Sequence, residues 1–152
     1  MANTYTQHYN HVVFAVKYRA CLISPEWKIE MFKYITGIVQ NNKHKMLAIN
    51  GPSDHIHIFI GTTPDQSVSA MVQQIKVCTS KWINDRGFTK NKFSWQSGFG
   101  GFTYSRSQID SVIRYINNQE EHHKKKTFKN EYVSLLNKNG IEYDERYLFD
   151  FF

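Results

Sequence analysis

Cysteine is scarce in this chain, with Cys21 and Cys78 the only two among 152 residues. Two thiols cannot build a disulfide framework, and their wide separation lacks the close spacing of a zinc pair. Both read as reduced and structural, which points to a cytoplasmic protein. Long hydrophobic runs are missing as well. The longest, Val12-Val13-Phe14-Ala15-Val16, falls far short of a bilayer span, so no membrane partner is expected. Met1-Ala2-Asn3-Thr4 opens no charged-then-apolar signal pattern. Neither a Gly-x-x-x-x-Gly-Lys-[Ser/Thr] loop nor a Gly-x-Gly-x-x-Gly after a strand occurs, so any chemistry must run without a nucleotide cofactor. Internal repeats and low-complexity linkers are also absent. The length reads as one domain, 1–152, in which 125–152 forms a C-terminal helix and tail.

What is present begins with charge. A formal net charge of +6 favours an acidic partner such as nucleic acid, although this balance alone is weak evidence. More informative is Asp54-His55-Ile56-His57-Ile58-Phe59-Ile60. In a strand, side chains alternate faces, so both imidazoles project from one side and the three isoleucines from the other. Two neutral nitrogen ligands then stand side by side, as a divalent metal requires. A His-x-His strand with no further support is more often plain packing, so other evidence is needed.

A strand is expected around Tyr9 to Tyr18, with His11, Val13, Ala15 and Lys17 sharing a face. Ser24-Pro25-Glu26 reads as N-cap, first-turn proline and first-turn acid of a helix ending near Asn41-Asn42. A strand at 45–50 and a turn at 51–54 lead into the His-x-His strand. A second helix starts near Ser67 and stops at Gly87, with Val68, Met71, Val72, Ile75, Cys78 and Trp82 at helical spacing. Phe93-Ser94-Trp95 and Phe102-Thr103-Tyr104 are candidate short strands. Ser107 with Asp110 resembles a capping box. It precedes a helix from about Gln108 to Lys124, and a last helical stretch spans Asn130 to Asn137. This order predicts an α+β, ferredoxin-like antiparallel sheet with two helices on one face, plus a C-terminal helix carrying Tyr115. The histidines are expected to look out from the uncovered face.

Tyr115 and Gln119 stand four residues apart on their helix, neighbours beside its apolar stripe of Ile109, Val112, Ile113 and Ile116. A tyrosine there is ordinarily a packing residue. His122, two turns from Tyr115, is a conceivable proton acceptor or phosphate contact, whereas His123 faces the buried stripe. Lys17, Arg19, Lys76, Lys81, Lys90 and Lys92 are candidate phosphate contacts, with Trp95 available for base stacking. Taken singly, each lysine reads as solvated surface.

A His-x-His strand followed about sixty residues later by Tyr115-Ile116-Asn117-Asn118-Gln119-Glu120-Glu121-His122-His123 resembles the HUH single-tyrosine transposases of the insertion sequence 200/605 type. Tyr9-Asn10-His11-Val12-Val13-Phe14, the stretch Phe93 to Phe102, Ser107-Gln108-Ile109-Asp110 and Asp144-Glu145-Arg146-Tyr147-Leu148-Phe149 extend the resemblance over nearly the whole chain. It implies that Tyr115 is the nucleophile and that His55, His57 and Gln119 hold a divalent metal, magnesium or manganese. A set without a carboxylate would bind metal modestly before DNA arrives. The resemblance further implies transesterification on single-stranded DNA bearing hairpins near element ends, through a 5′-phosphotyrosine, by a homodimer whose subunits can exchange tyrosine helices. Two alternatives stay open: a non-catalytic single-stranded nucleic-acid-binding module, and a domesticated relative that cuts repeats with the same chemistry.

Overall fold

The computed structural model describes residues 3–152. Four strands, β1 (His8–Ala15), β2 (Lys45–Asn50), β3 (His55–Thr62) and β4 (Gly100–Tyr104), form an antiparallel sheet in the order β2-β3-β1-β4. This is the ferredoxin-like order, with the first and third strands central. The sheet pairs Val12 with Ile58 and Phe14 with Ile56. These four side chains share one face, onto which α1 (Pro25–Asn41) and α2 (Val68–Arg86) pack Trp27, Met31, Ile35, Met71, Val72 and Ile75. Ile56, Ile58 and Ile60 are fully buried there, each a gross gain of about 1.5–3 kcal/mol.

Local chemistry sets the ends of both helices. The Ser24 hydroxyl accepts from the Glu26 amide and the Ser67 hydroxyl from the Ala70 amide, satisfying first-turn donors. Gly87 closes α2 at φ +66°, a left-handed conformation that glycine adopts without a Cβ clash.

The other face pairs His11 with Phe59, Val13 with His57 and Ala15 with His55. It is not open, as expected from the sequence, but covered by a third layer. α3 (Ile109–Asn117) lays Val112 and Ile116 against Ala48 and Phe59. α4 (Gln119–His123) and α5 (Phe128–Lys138) follow, and α5 buries Phe128, Tyr132, Leu135 and Leu136 beside Phe149 of the tail. The strongly amphipathic 109–116 stripe requires such a partner. The tail is fastened by Gln96, which donates to the Asp150 carbonyl at 2.9 Å and accepts from the Asp150 amide at 2.7 Å.

Other expectations change. The first strand ends at Ala15 rather than Tyr18, and Phe93-Ser94-Trp95 is no strand, contributing only an isolated bridge between Val16 and Trp95. The capping box is Ser105 with Gln108, not Ser107 with Asp110. The tyrosine helix breaks at Asn118 (ψ 24°), where Asn50 Nδ2 donates to the carbonyls of Ile116 and Asn117 at 3.0 and 3.2 Å. Those bonds tie the end of α3 to β2, in the position paired with His57. The last helix begins at Phe128, two residues before the expected start. Among the described residues, no helix is long and apolar enough to cross a membrane.

Candidate active site

β3 delivers His55 and His57 to the covered face, both fully buried, with their Nε2 atoms 3.1 Å apart. Each ring is held from behind. His55 Nδ1 lies 2.7 Å from Asp54 Oδ1, and His57 Nδ1 lies 2.8 Å from His11 Nε2. Partners on Nδ1 leave Nε2 facing the cluster, the arrangement that fixes a ligating imidazole. Asp54 follows from the sequence next to His55. His11 was passed over because its place beside His57 depends on strand register. Its Nδ1 is buried without a partner.

Four residues then converge from the third layer. Tyr115 is on α3 and Gln119 opens α4, with His123 one turn further along. Glu131 is on α5, fully inside. Glu131 Oε1 lies 3.2 Å from His55 Nε2, 3.1 Å from His57 Nε2 and 3.1 Å from His123 Nε2. Its Oε2 accepts from the Tyr115 hydroxyl and, at 3.2 Å, from Gln119 Nε2. His123 Nε2 also donates to Gln119 Oε1 at 3.0 Å. His122 Nε2 comes within 3.2 Å of Glu131 Oε2 but is not aligned for a hydrogen bond. Phe128 stacks on the His55 ring with centroids 3.6 Å apart and planes 4° off parallel.

Electrostatics follow from this packing. Burial works to raise the Glu131 pKa, but the hydrogen bonds from His123, His55 and His57 outweigh it and hold the carboxyl well below the usual carboxylate range. His57 is lowered to about 4, chiefly by burial, and stays neutral. Burial also lowers His55, yet hydrogen bonds to Asp54 and Glu131 reverse this and raise it. Tyr115 is pushed well up, first by burial and then by the Glu131 charge, so its phenol keeps its proton in this arrangement.

Sequence reasoning therefore named His55, His57, Tyr115 and Gln119, and all four meet here. It missed Glu131 as a participant and assigned His123 to packing. A signal for Glu131 existed. It stands three residues after Phe128 and four before Leu135, a carboxylate in the apolar stripe of α5. Beginning that helix at Asn130 hid the stripe.

The expected DNA contacts lie elsewhere. Trp95 is buried against Phe14 and Phe93, and its Nε1 donates to Thr79 Oγ1 at 2.9 Å, so it presents no face for base stacking. Lys76 Nζ donates to the carbonyls of Gln96 and Gly98 at 2.9 and 2.6 Å. Lys81 pairs with Asp85 on the exposed side of α2. Lys17, Arg19, Lys90 and Lys92 are exposed, and Arg19 lies over the Phe152 ring at 5.8 Å. None of these seven bonds to the histidine cluster.

The model of the family described as "Transposase IS200 like" matches residues 4–119. The chain belongs to that family. The match includes β1, the His-x-His strand, Tyr115 and Gln119, and stops before His123 and Glu131. Two solved structures share the transposase fold. One is a candidate transposase from Deinococcus radiodurans R1, with TM-score 0.63 and 19% identity over 78% of this chain and 95% of that one. The other is a REP-associated tyrosine transposase bound to a REP hairpin, with TM-score 0.60 and 13% identity over 81% of this chain and 73% of that one. A comparison with curated proteins finds no match.

Proposed function

We propose that this IS200-like transposase cleaves and rejoins single-stranded DNA through a 5′-phosphotyrosine, with a divalent metal, Mg2+ or Mn2+, held by His55 and His57. The observation that carries the reading is one buried cluster joining the Tyr115 hydroxyl, the paired imidazole nitrogens and a carboxylate. Two Nε2 atoms aimed inward, each braced at Nδ1, suit a borderline divalent ion. Gln119, the third ligand on the resemblance, belongs to the same cluster. Bound there, the metal would act as a Lewis acid on a phosphate oxygen.

The chain's own residues account for the rest. Tyr115 Oη attacks phosphorus, the bond to the 3′ oxygen breaks, and a tyrosyl phosphodiester forms. Glu131 Oε2 accepts the hydrogen bond of the Tyr115 hydroxyl and orients it, and the phenolic proton ends on the departing 3′ oxygen, so the exchange balances. One phosphodiester is exchanged for another, so a second 3′-hydroxyl can reseal the strand by the reverse path without ATP. Asp54 and His11 keep the two imidazoles in one tautomer and orientation.

Tyr115 and His57 of the same chain approach with ring centroids 5.9 Å apart, which supports attack in cis. The homodimer implied by the resemblance is compatible with that geometry. Dimers mixing His57→Ala with Tyr115→Phe subunits would regain activity only if the tyrosine helix is exchanged. Hairpin-bearing single strands are the substrate this reading favours. The deciding experiment incubates the protein with labelled single strands from its own element ends and Mn2+, followed by a denaturing gel. A metal-dependent shifted band that vanishes in Tyr115→Phe is the expected result. Tight binding with no covalent band would favour a binding module instead.

A further inference from the structure

We infer that the metal is held by a facial triad of His55, His57 and Glu131, so that Glu131 on α5, rather than Gln119, supplies the third protein ligand. This rests on the metal-dependent reading of the site and departs from the ligand set carried over by resemblance.

The first argument is geometric. His55 Nε2, His57 Nε2 and Glu131 Oε1 form a nearly equilateral triangle with sides of 3.1, 3.1 and 3.2 Å. An octahedral ion with bonds near 2.1 Å needs ligand atoms about 3.0 Å apart along each face edge. The three donors are thus already spaced as one face of such a shell. His123 Nε2, 3.1 Å from Glu131 Oε1, belongs to the same group of ligand atoms, all within 4.8 Å of one another.

The second argument concerns what Gln119 does. Its amide nitrogen donates to Glu131 Oε2 and its oxygen accepts from His123 Nε2. Both ends of the side chain are occupied in orienting Glu131 and His123, the role of an outer partner to a metal ligand.

The third argument is charge. Glu131 is buried, and among the described residues its ion-pair partners are histidines, with no lysine or arginine. A buried carboxylate needs a compensating cation, and the Nε2 atoms that face Glu131 become ligand atoms once a metal displaces their protons. A divalent ion serves both. Imidazole donors favour Mn2+ over Mg2+, so the triad is selective in that direction.

The test titrates Mn2+ into the purified full-length protein without DNA, by calorimetry, comparing wild type, Glu131→Gln and Gln119→Ala. The proposal expects Glu131→Gln to weaken binding by more than about a hundredfold and Gln119→Ala by less, about 10- to 100-fold. The reverse ranking, or wild-type affinity in Glu131→Gln, overturns it. Should Glu131→Gln fail to fold, Gln119→Ala alone decides, because a Gln119 ligand predicts loss of binding there. The covalent-adduct assay on wild type separates the two levels. No adduct sinks the proposed function, whereas an adduct with Mn2+ binding indifferent to Glu131 sinks only this ligand assignment.

Discussion

Replacing Phe128 tests whether the third layer is truly docked. Phe128 is buried, lies flat on His55, and is flanked by Phe149, Phe151 and Tyr132 at centroid distances of 5.9, 5.1 and 5.9 Å. Phe128→Ala removes that packing and leaves a cavity lined by aromatics that cannot collapse without moving α5. Such truncations cost about 3–5 kcal/mol, a large part of the roughly 5–15 kcal/mol that stabilises a domain. For a chain of this size, each kcal/mol moves Tm by about 2–4 °C, so the drop should be roughly 6–20 °C. Tyr147→Ala is the control, since that ring is 81% exposed and its loss should cost within about 0.5 kcal/mol. Both variants would be melted by circular dichroism with and without Mn2+. With His55 ligating Mn2+ as proposed, Phe128→Ala should also lose much of the Mn2+-induced rise in Tm, because its ring backs that imidazole. A fall no greater than that of Tyr147→Ala would show that α5 does not rest on the sheet in solution, and the site built from Glu131 would go with it.

Three further outcomes follow from the packing. A Cβ added at Gly100 would lie 2.6 Å from Tyr132 Cε1, so Gly100→Ala should push α5 outward and cost about 1–3 kcal/mol in urea denaturation. Unchanged stability would contradict this close approach. Gln96→Ala removes the bonds to Val16 and Asp150, and hydrogen exchange at the Asp150 amide should speed by at least about tenfold while α1 amides are unaffected. Burial lowers the Lys76 amine to about 8, so its side-chain NMR signals should titrate near that pH rather than near 10.4. The folded chain then binds fewer protons than the unfolded one between these values. Stability should rise with pH across that window, and Lys76→Met should remove the slope.

The parts legible in the sequence were those set by neighbours along the chain. Ser24, Ser67 and Gly87 mark their helix ends by local bonding, and the His-x-His alternation places two rings on one face whatever the rest of the fold does. Tyr115 and Gln119 came from a family resemblance that the matched segment bears out. What escaped depends on distant pairing. His11 reaches His57 only through the β1–β3 register. The break at Asn118 needs Asn50 of β2 to take the α3 carbonyls. Trp95 looks like a stacking residue until α2 supplies Thr79 for its ring nitrogen. Glu131 was hidden by two misplaced residues at the start of α5, although a carboxylate within an apolar stripe is itself a mark of function.

The spacing of the cluster along the chain also has a bearing on synthesis. His57 and Glu131 are 74 residues apart. At about 5–20 residues per second, the ribosome needs roughly 4–15 s to pass from one to the other. During that interval the two imidazoles stand on a sheet face whose covering layer arrives in order, α3 with Tyr115 first and α5 with Glu131 last. The cluster around His55 and His57 is therefore completed last, when α5 folds down and brings Glu131 against both rings.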